Sequence, residues 1–183
     1  MRAPFQILEI LYKYIESTLM FCVLHRSDFN QWQFIAGGGE DDETPMEAAK
    51  REIFEEAAVK AENIVQLKSM CYIPTNIFSK KQLYNWAHDT YVVPEYSFGF
   101  ECNSEIKLSH EHTECVWLTY EEAVKKLKWD SNRTAMYELK CRLEKKITSN
   151  SSAVLVFIDG TICDDRHRLH LFGTDDFEAP ETY

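Results

Sequence analysis

Residues 37–59, GGGEDDETPMEAAKREIFEEAAV, constrain this chain more than any other stretch. Thr44 is a good N-cap, Pro45 suits the first helical position and Glu47 completes a capping box, so a helix is expected to start at residue 45. On that helix Met46, Ala49, Ile53 and Ala57 share one face and require an apolar surface to pack on. Glu52, Glu55 and Glu56 stand at i, i+3 and i+4, so their carboxylates crowd another face, and Arg51 can reach Glu55 one turn on. Like charges at this spacing cost roughly 0.2–0.5 kcal/mol per pair, and more when desolvated. A solvated acidic face is the plain explanation of such a cluster; a bound cation is the functional one. Oxygen donors select a hard divalent ion over zinc and leave room on it for water and phosphate.

The order Gly37, five residues, Glu43, seven residues, Arg51-Glu52-Ile53-x-Glu55-Glu56-x-Ala58-Val59 resembles the signature of the Nudix hydrolases, G-x5-E-x7-R-E-U-x-E-E-x-G-U with U aliphatic. One position departs: Ala58 stands where the family has glycine, at a helix end where a left-handed backbone is easiest for glycine. The resemblance covers roughly residues 4–147. It implies an α+β chain with a Nudix-type α/β/α sandwich and a mixed sheet. It further implies cleavage of a nucleoside diphosphate linked to another moiety, with Mg²⁺, or Mn²⁺ in its place, as cofactor. By position, Glu52, Glu55 and Glu56 would bind the metal, joined by Ala36, and Arg51 would orient the glutamates with support from Glu43. The loop Ala36-Gly37-Gly38 would bring backbone close to metal and phosphate. Glu111, just ahead of the ECVWL segment, is the expected base or extra ligand, with Glu114 as runner-up. Arg26 is a candidate phosphate clamp, since a planar guanidinium suits that task.

The rest of the chain reads as a layered α+β domain. Strands are expected at 5–15, 18–25, 63–74, 90–102 and 114–118, with WQFIAGGG as another. Amphipathic helices are expected at 120–127 and 131–147, the second with a core stripe of Met136, Leu139, Leu143 and Ile147. The domain is expected to end at 147. A linker at 148–152 is then followed by a 153–183 extension. There AVLVFIDGT resembles a truncated, degenerate first motif of haloacid dehalogenase-type phosphatases, with Phe157 in the place of the nucleophilic aspartate.

Lys and Arg number 20 against 30 Asp and Glu, a formal charge of -10, which excludes holding a nucleic-acid polymer by bulk electrostatics. No apolar run is long enough to span a membrane. The N-terminus lacks the uncharged core of a signal peptide. The six scattered cysteines read as reduced thiols of a cytoplasmic protein. SHEHTECVWLTYEEAVKKL with the following Trp129-Asp130-Ser131-Asn132-Arg133 resembles two Nudix branches. The likeness to dihydroneopterin triphosphate diphosphatase, also described as a dATP pyrophosphohydrolase, is the closer. It implies a nucleotide or pterin triphosphate cut to monophosphate and pyrophosphate, with Arg26, Gly37, Gly38, Glu43 and Arg133 on the substrate side. The other branch, diadenosine tetraphosphate hydrolase, is the enzymatic alternative, and a nucleotide-binding sensor that does not cut is the second. Nudix proteins are often dimers, so a homodimer is compatible with the resemblance.

Overall fold

Strand β1 (Arg2–Ile15) organises the domain, and its alternation explains how. Leu8, Ile10 and Tyr12 point to one side of the sheet, and Ile7 and Leu11 to the other; all five are buried. A strand apolar on both faces must be covered by helices on both. A computed structural model describes residues 1–84 and 86–147, so the linker and extension expected at 148–183 lie outside the described residues. The order is β1, β2 (Thr18–Arg26), β3 (Trp32–Gln33), β4 (Ile35–Glu40), α1 (Pro45–Ala57), β5 (Val65–Pro74), a 3-10 turn (Thr75–Ile77), α2 (Lys80–Leu83), β6 (Val92–Glu101), β7 (His112–Leu118), α3 (Tyr120–Lys126) and α4 (Asp130–Ile147).

The sheet is mixed. β1 runs parallel to β6 along one edge, and its other edge is shared: residues from Arg2 to Glu9 pair with β4, whereas Tyr12–Ile15 pair with β2. β2 also pairs with β3 and β7, and β6 carries β5. Helices α3 and α4 cover one face through Ala123, Ala135, Met136, Leu139 and Leu143, packed against Leu8, Ile10, Phe21 and Phe34. Helix α1 covers the opposite face, where Ile53 and Ala57 meet Leu11, Cys22 and Ile35, and Ala48 and Ala49 meet Ile7 and Phe98. The five cysteines among the described residues are free thiols. No helix among the described residues is long and apolar enough to cross a membrane.

One expectation needs correction. WQFIAGGG is not one strand but two, interrupted at Phe34, whose N–H donates to Asn132 Oδ1 (3.1 Å) instead of to a neighbouring strand. Its glycines lie inside β4, not in a loop, and none has positive φ.

Helix α1 forms as its sequence dictates. Thr44 accepts from the Glu47 N–H while Glu47 reaches back to Thr44 N (2.8 Å). At its end Ala58 is left-handed (φ 55, ψ 30), with its N–H donating to Phe54 O. An L-residue with a Cβ is strained there, so Ala58→Gly is expected to stabilise the fold by about 1 kcal/mol. Urea unfolding at matched slope checks this, and an unchanged midpoint would contradict it.

Candidate active site

The carboxylates of α1 divide by helical geometry. Glu52 and Glu56, four residues apart, turn toward the sheet and are 9% and 4% exposed. Glu55, rotated off that stripe, keeps its side chain 55% exposed and meets Arg51 Nη1 (3.1 Å). Arg51 places all five of its N–H donors: two on Glu43 (2.8 and 3.0 Å), one each on Glu52 (2.9 Å) and Glu55, and one on the Gly38 carbonyl (2.9 Å). Glu43 also accepts from Glu40 N (2.9 Å). Arg51 therefore ties α1 to β4 and fixes the Glu52 carboxylate, and these bonds hold Glu43 below the ordinary glutamate range.

The glycines of β4 admit side chains. A Cβ on Gly37 would lie 2.0 Å from Glu52 Cδ, and one on Gly38 1.7 Å from Arg2 Cζ. Glu52 and Arg2 thus lie directly on the strand backbone, a closer approach than any other residue type would permit.

Glu56 has a partner that sequence reasoning missed. His112 Nε2 lies 2.6 Å from Glu56 Oε2, and both groups are buried. A carboxylate acceptor requires the proton on Nε2, which leaves Nδ1 as a buried acceptor with no partner among the described residues. Burial pushes Glu56 above the ordinary glutamate range, against the His112 bond, and burial likewise raises Glu52 against Arg51.

Glu9 was also missed. It occupies the α1-facing row of β1 between Ile7 and Leu11, where alternation calls for an apolar residue, so only its chemical type marks it out. It is 1% exposed, and neither carboxylate oxygen has a hydrogen-bond partner among the described residues. Burial first, then the charges of Glu52 and Glu56, raise its pKa well above the ordinary value. The sign of the linkage follows. As pH rises from the ordinary glutamate value toward this raised one, the unfolded chain releases the proton and the folded chain keeps it, so folding stability falls. Without metal, Glu9→Gln is expected to be more stable than the parent at pH 7, and the gap is expected to close as the pH is lowered through 4.5. Chemical unfolding across that range checks it; a gap independent of pH would contradict it.

One cavity of about 820 Å³, within the range of small-molecule sites, lies against part of this group. Glu52 and Glu56, Ala36 and Gly37, Glu111, Arg26 and Arg2 line it. The Glu111 carbonyl accepts from Ser27 N (2.8 Å), which ties its loop to the end of β2. Arg26 makes two 2.6 Å bonds to Asp28. The buried Nε of Arg2 has no hydrogen-bond partner among the described residues.

Four expected site residues fall outside the lining: Glu55, on the exposed side of α1, Arg51, committed to Glu43, Glu52, Glu55 and the Gly38 carbonyl, Glu43, behind Arg51, and Gly38, covered by Arg2. Arg133 is also absent from it. Its guanidinium turns to Asp130 and to the Leu127 carbonyl at the start of α4, while its neighbours Ser131 and Asn132 line the cavity. Glu114 pairs with His25 in the sheet and does not line the cavity.

Among the described residues, no three His, Cys, Asp or Glu side chains converge on one point. The donor chemistry nevertheless fits a hard divalent cation. Glu52, Glu56 and Glu111 supply only oxygen to one cavity, and the oxygens of Glu9, which have no hydrogen-bond partner among the described residues, lie in the field of the first two.

The NUDIX domain model matches residues 16–139. The chain is similar to a Listeria monocytogenes protein assigned as a NUDIX hydrolase, with 44% identity over 79% of this chain and 97% of that one, at a TM-score of 0.69. It is similar in fold to the Escherichia coli dihydroneopterin triphosphate pyrophosphohydrolase (22% identity, 76% and 97% covered, TM-score 0.60). The same holds for a Caenorhabditis elegans Ap4A hydrolase (18% identity, 78% and 98% covered, TM-score 0.57). No match was found among curated proteins.

Proposed function

Because the chain belongs to the NUDIX family and is a hydrolase of phosphoric anhydride bonds, we propose that it cuts a nucleotide- or pterin-type triphosphate into a monophosphate and pyrophosphate. One observation carries this reading: a single cavity joins an acidic wall, two arginines and a polar, aromatic-flanked end. A triphosphate needs charge neutralisation and positioning, and its ring needs a place to lie. Among proteins of this fold, the E. coli dihydroneopterin triphosphate pyrophosphohydrolase is a precedent for a triphosphate and the C. elegans Ap4A hydrolase for the dinucleotide alternative.

Glu52, Glu56 and Glu111, which line the cavity, would hold Mg²⁺ or Mn²⁺ with the Ala36 main chain, and Glu55 would join them on leaving Arg51. When bound, the ion supplies charge neutralisation for the phosphates and acidifies water. The protein does the remainder. Arg51 positions Glu52 through the bonds already described. His112 keeps Glu56 oriented by donating from Nε2. Glu111, on the cavity wall, would take the proton of the attacking water on a carboxylate oxygen. Arg2, whose Nε has no partner among the described residues, and Arg26, on exchanging Asp28 for phosphate, would grip the chain of phosphates.

A Mg²⁺-supplemented panel of nucleoside triphosphates, dihydroneopterin triphosphate and diadenosine tetraphosphate, with products identified, tests the reading. Pyrophosphate released from a triphosphate is expected. A nucleoside triphosphate released from diadenosine tetraphosphate alone, or binding without any cleavage, would overturn it.

A further inference from the structure

The end of the cavity away from the acids holds a second buried carboxylate. Gln6, Glu95 and Cys71 are register partners on three adjacent strands, β1, β6 and β5, so their side chains form one row on the same sheet face. All three line the cavity, as do Ser131 and Asn132 from the start of α4. Glu95 is 7% exposed. Its Oε1 accepts from Cys71 Sγ (3.3 Å), and the Ser131 hydroxyl also bonds to it. No Lys or Arg pairs with it among the described residues. Asn132 is committed to Phe34 N and Ser131 Oγ and brings Glu95 no donor of its own.

A carboxylate offers four acceptor positions, and two weak or neutral donors do not match a buried one. Burial holds its pKa above the ordinary range, which is the cost of that mismatch. What the site lacks is a pair of adjacent N–H donors. Trp129, an exposed aromatic on the same cavity, offers a face to a flat ring.

We infer that Glu95 reads the ring of the substrate, selecting a 2-amino-4-oxo heterocycle of the guanine or pterin type, whose ring N–H and amino group point side by side at one carboxylate. Adenine presents a ring-nitrogen acceptor beside its amine, and hypoxanthine has the ring N–H without the amine. Each leaves one side of Glu95 unmatched, and a site built to hydrogen-bond a group rejects the analogue lacking it. This rests on the triphosphate reading above and adds the identity of the ring.

The test compares GTP, ITP and ATP as substrates of the full chain with Mg²⁺, and GMP, IMP and AMP as ligands by calorimetry, for the parent and Glu95→Gln. The parent is expected to favour the guanine member by about 10- to 100-fold in kcat/KM and in affinity. Glu95→Gln replaces an acceptor oxygen by an amide NH₂ donor and is expected to bring the GTP/ITP ratio close to one. Equal treatment of the three rings by the parent, or an unchanged ratio in Glu95→Gln, would overturn the inference. If the variant does not fold, the parent's ring preference decides alone. If no triphosphate is cleaved, the monophosphate affinities still decide: a guanine preference without hydrolysis would end the pyrophosphohydrolase reading and leave this one standing.

Discussion

Glu56→Gln is expected to lower turnover by about 10²–10³-fold while leaving the fold nearly as stable as before. Gln has the size of Glu, and its amide oxygen can still accept from His112 Nε2, so the buried bond of 2.6 Å is replaced and not vacated. What disappears is the negative charge at the wall of the cavity, where a divalent ion and phosphates would meet it. Calorimetric titration with Mn²⁺ and steady-state hydrolysis should fall together, with unfolding midpoints almost unchanged. A variant that kept both metal affinity and rate would remove α1 from the chemistry. His112→Ala probes the same pair from the other side. It leaves a buried carboxylate unpartnered, so the cost should appear first in stability.

Arg51→Met is expected to cost about 2–4 kcal/mol of folding stability, a large share of what a domain of this size has. The guanidinium makes five hydrogen bonds, and methionine makes none of them while filling much of the same volume. Its loss leaves Glu43, Glu52 and the Gly38 carbonyl partly buried without their donor, and three carboxylates without the cation among them. Arg51→Lys should recover less than half of the loss, because three donors on a flexible stem do not reproduce a planar fork. Urea unfolding of the metal-free protein separates these outcomes. Saturating Mg²⁺ should reduce the deficit of both variants by supplying positive charge nearby. A Met variant as stable as the parent would show that Arg51 does not anchor α1 to β4.

Much of this architecture is legible in the residues themselves. The capping box at Thr44 and Glu47, the Pro45 start and the αL end at Ala58 follow from local chemistry, and they are what the structure holds. The hairpin turn at Glu16-Ser17 likewise has both residues at positive φ. Illegible features depend on groups distant in sequence. Three glutamates at i, i+3 and i+4 look equivalent on a helical projection. Only the sheet beneath makes Glu52 and Glu56 buried and leaves Glu55 outside. The break at Phe34 is set by Asn132, nearly a hundred residues later. The same distance hides which side of α4 faces the site: in the Trp129–Arg133 segment the arginine is the conspicuous charge, yet Ser131 and Asn132 line the cavity. Glu9 and Glu95 carry no local signal beyond being acids inside otherwise apolar or mixed strands.

The division of β1 between two partners along one edge has a mechanical consequence. Between Glu9, opposite Ile35, and Tyr12, opposite Phe21, the neighbouring strands diverge like the arms of a fork. Asn132 bolts α4 to the base of that fork through Phe34, and the adjacent Ser131 holds the carboxylate at the far end of the cavity. Loosening this one bolt, as in Asn132→Ala, would disturb the splay of the sheet and the grip on a bound ring together.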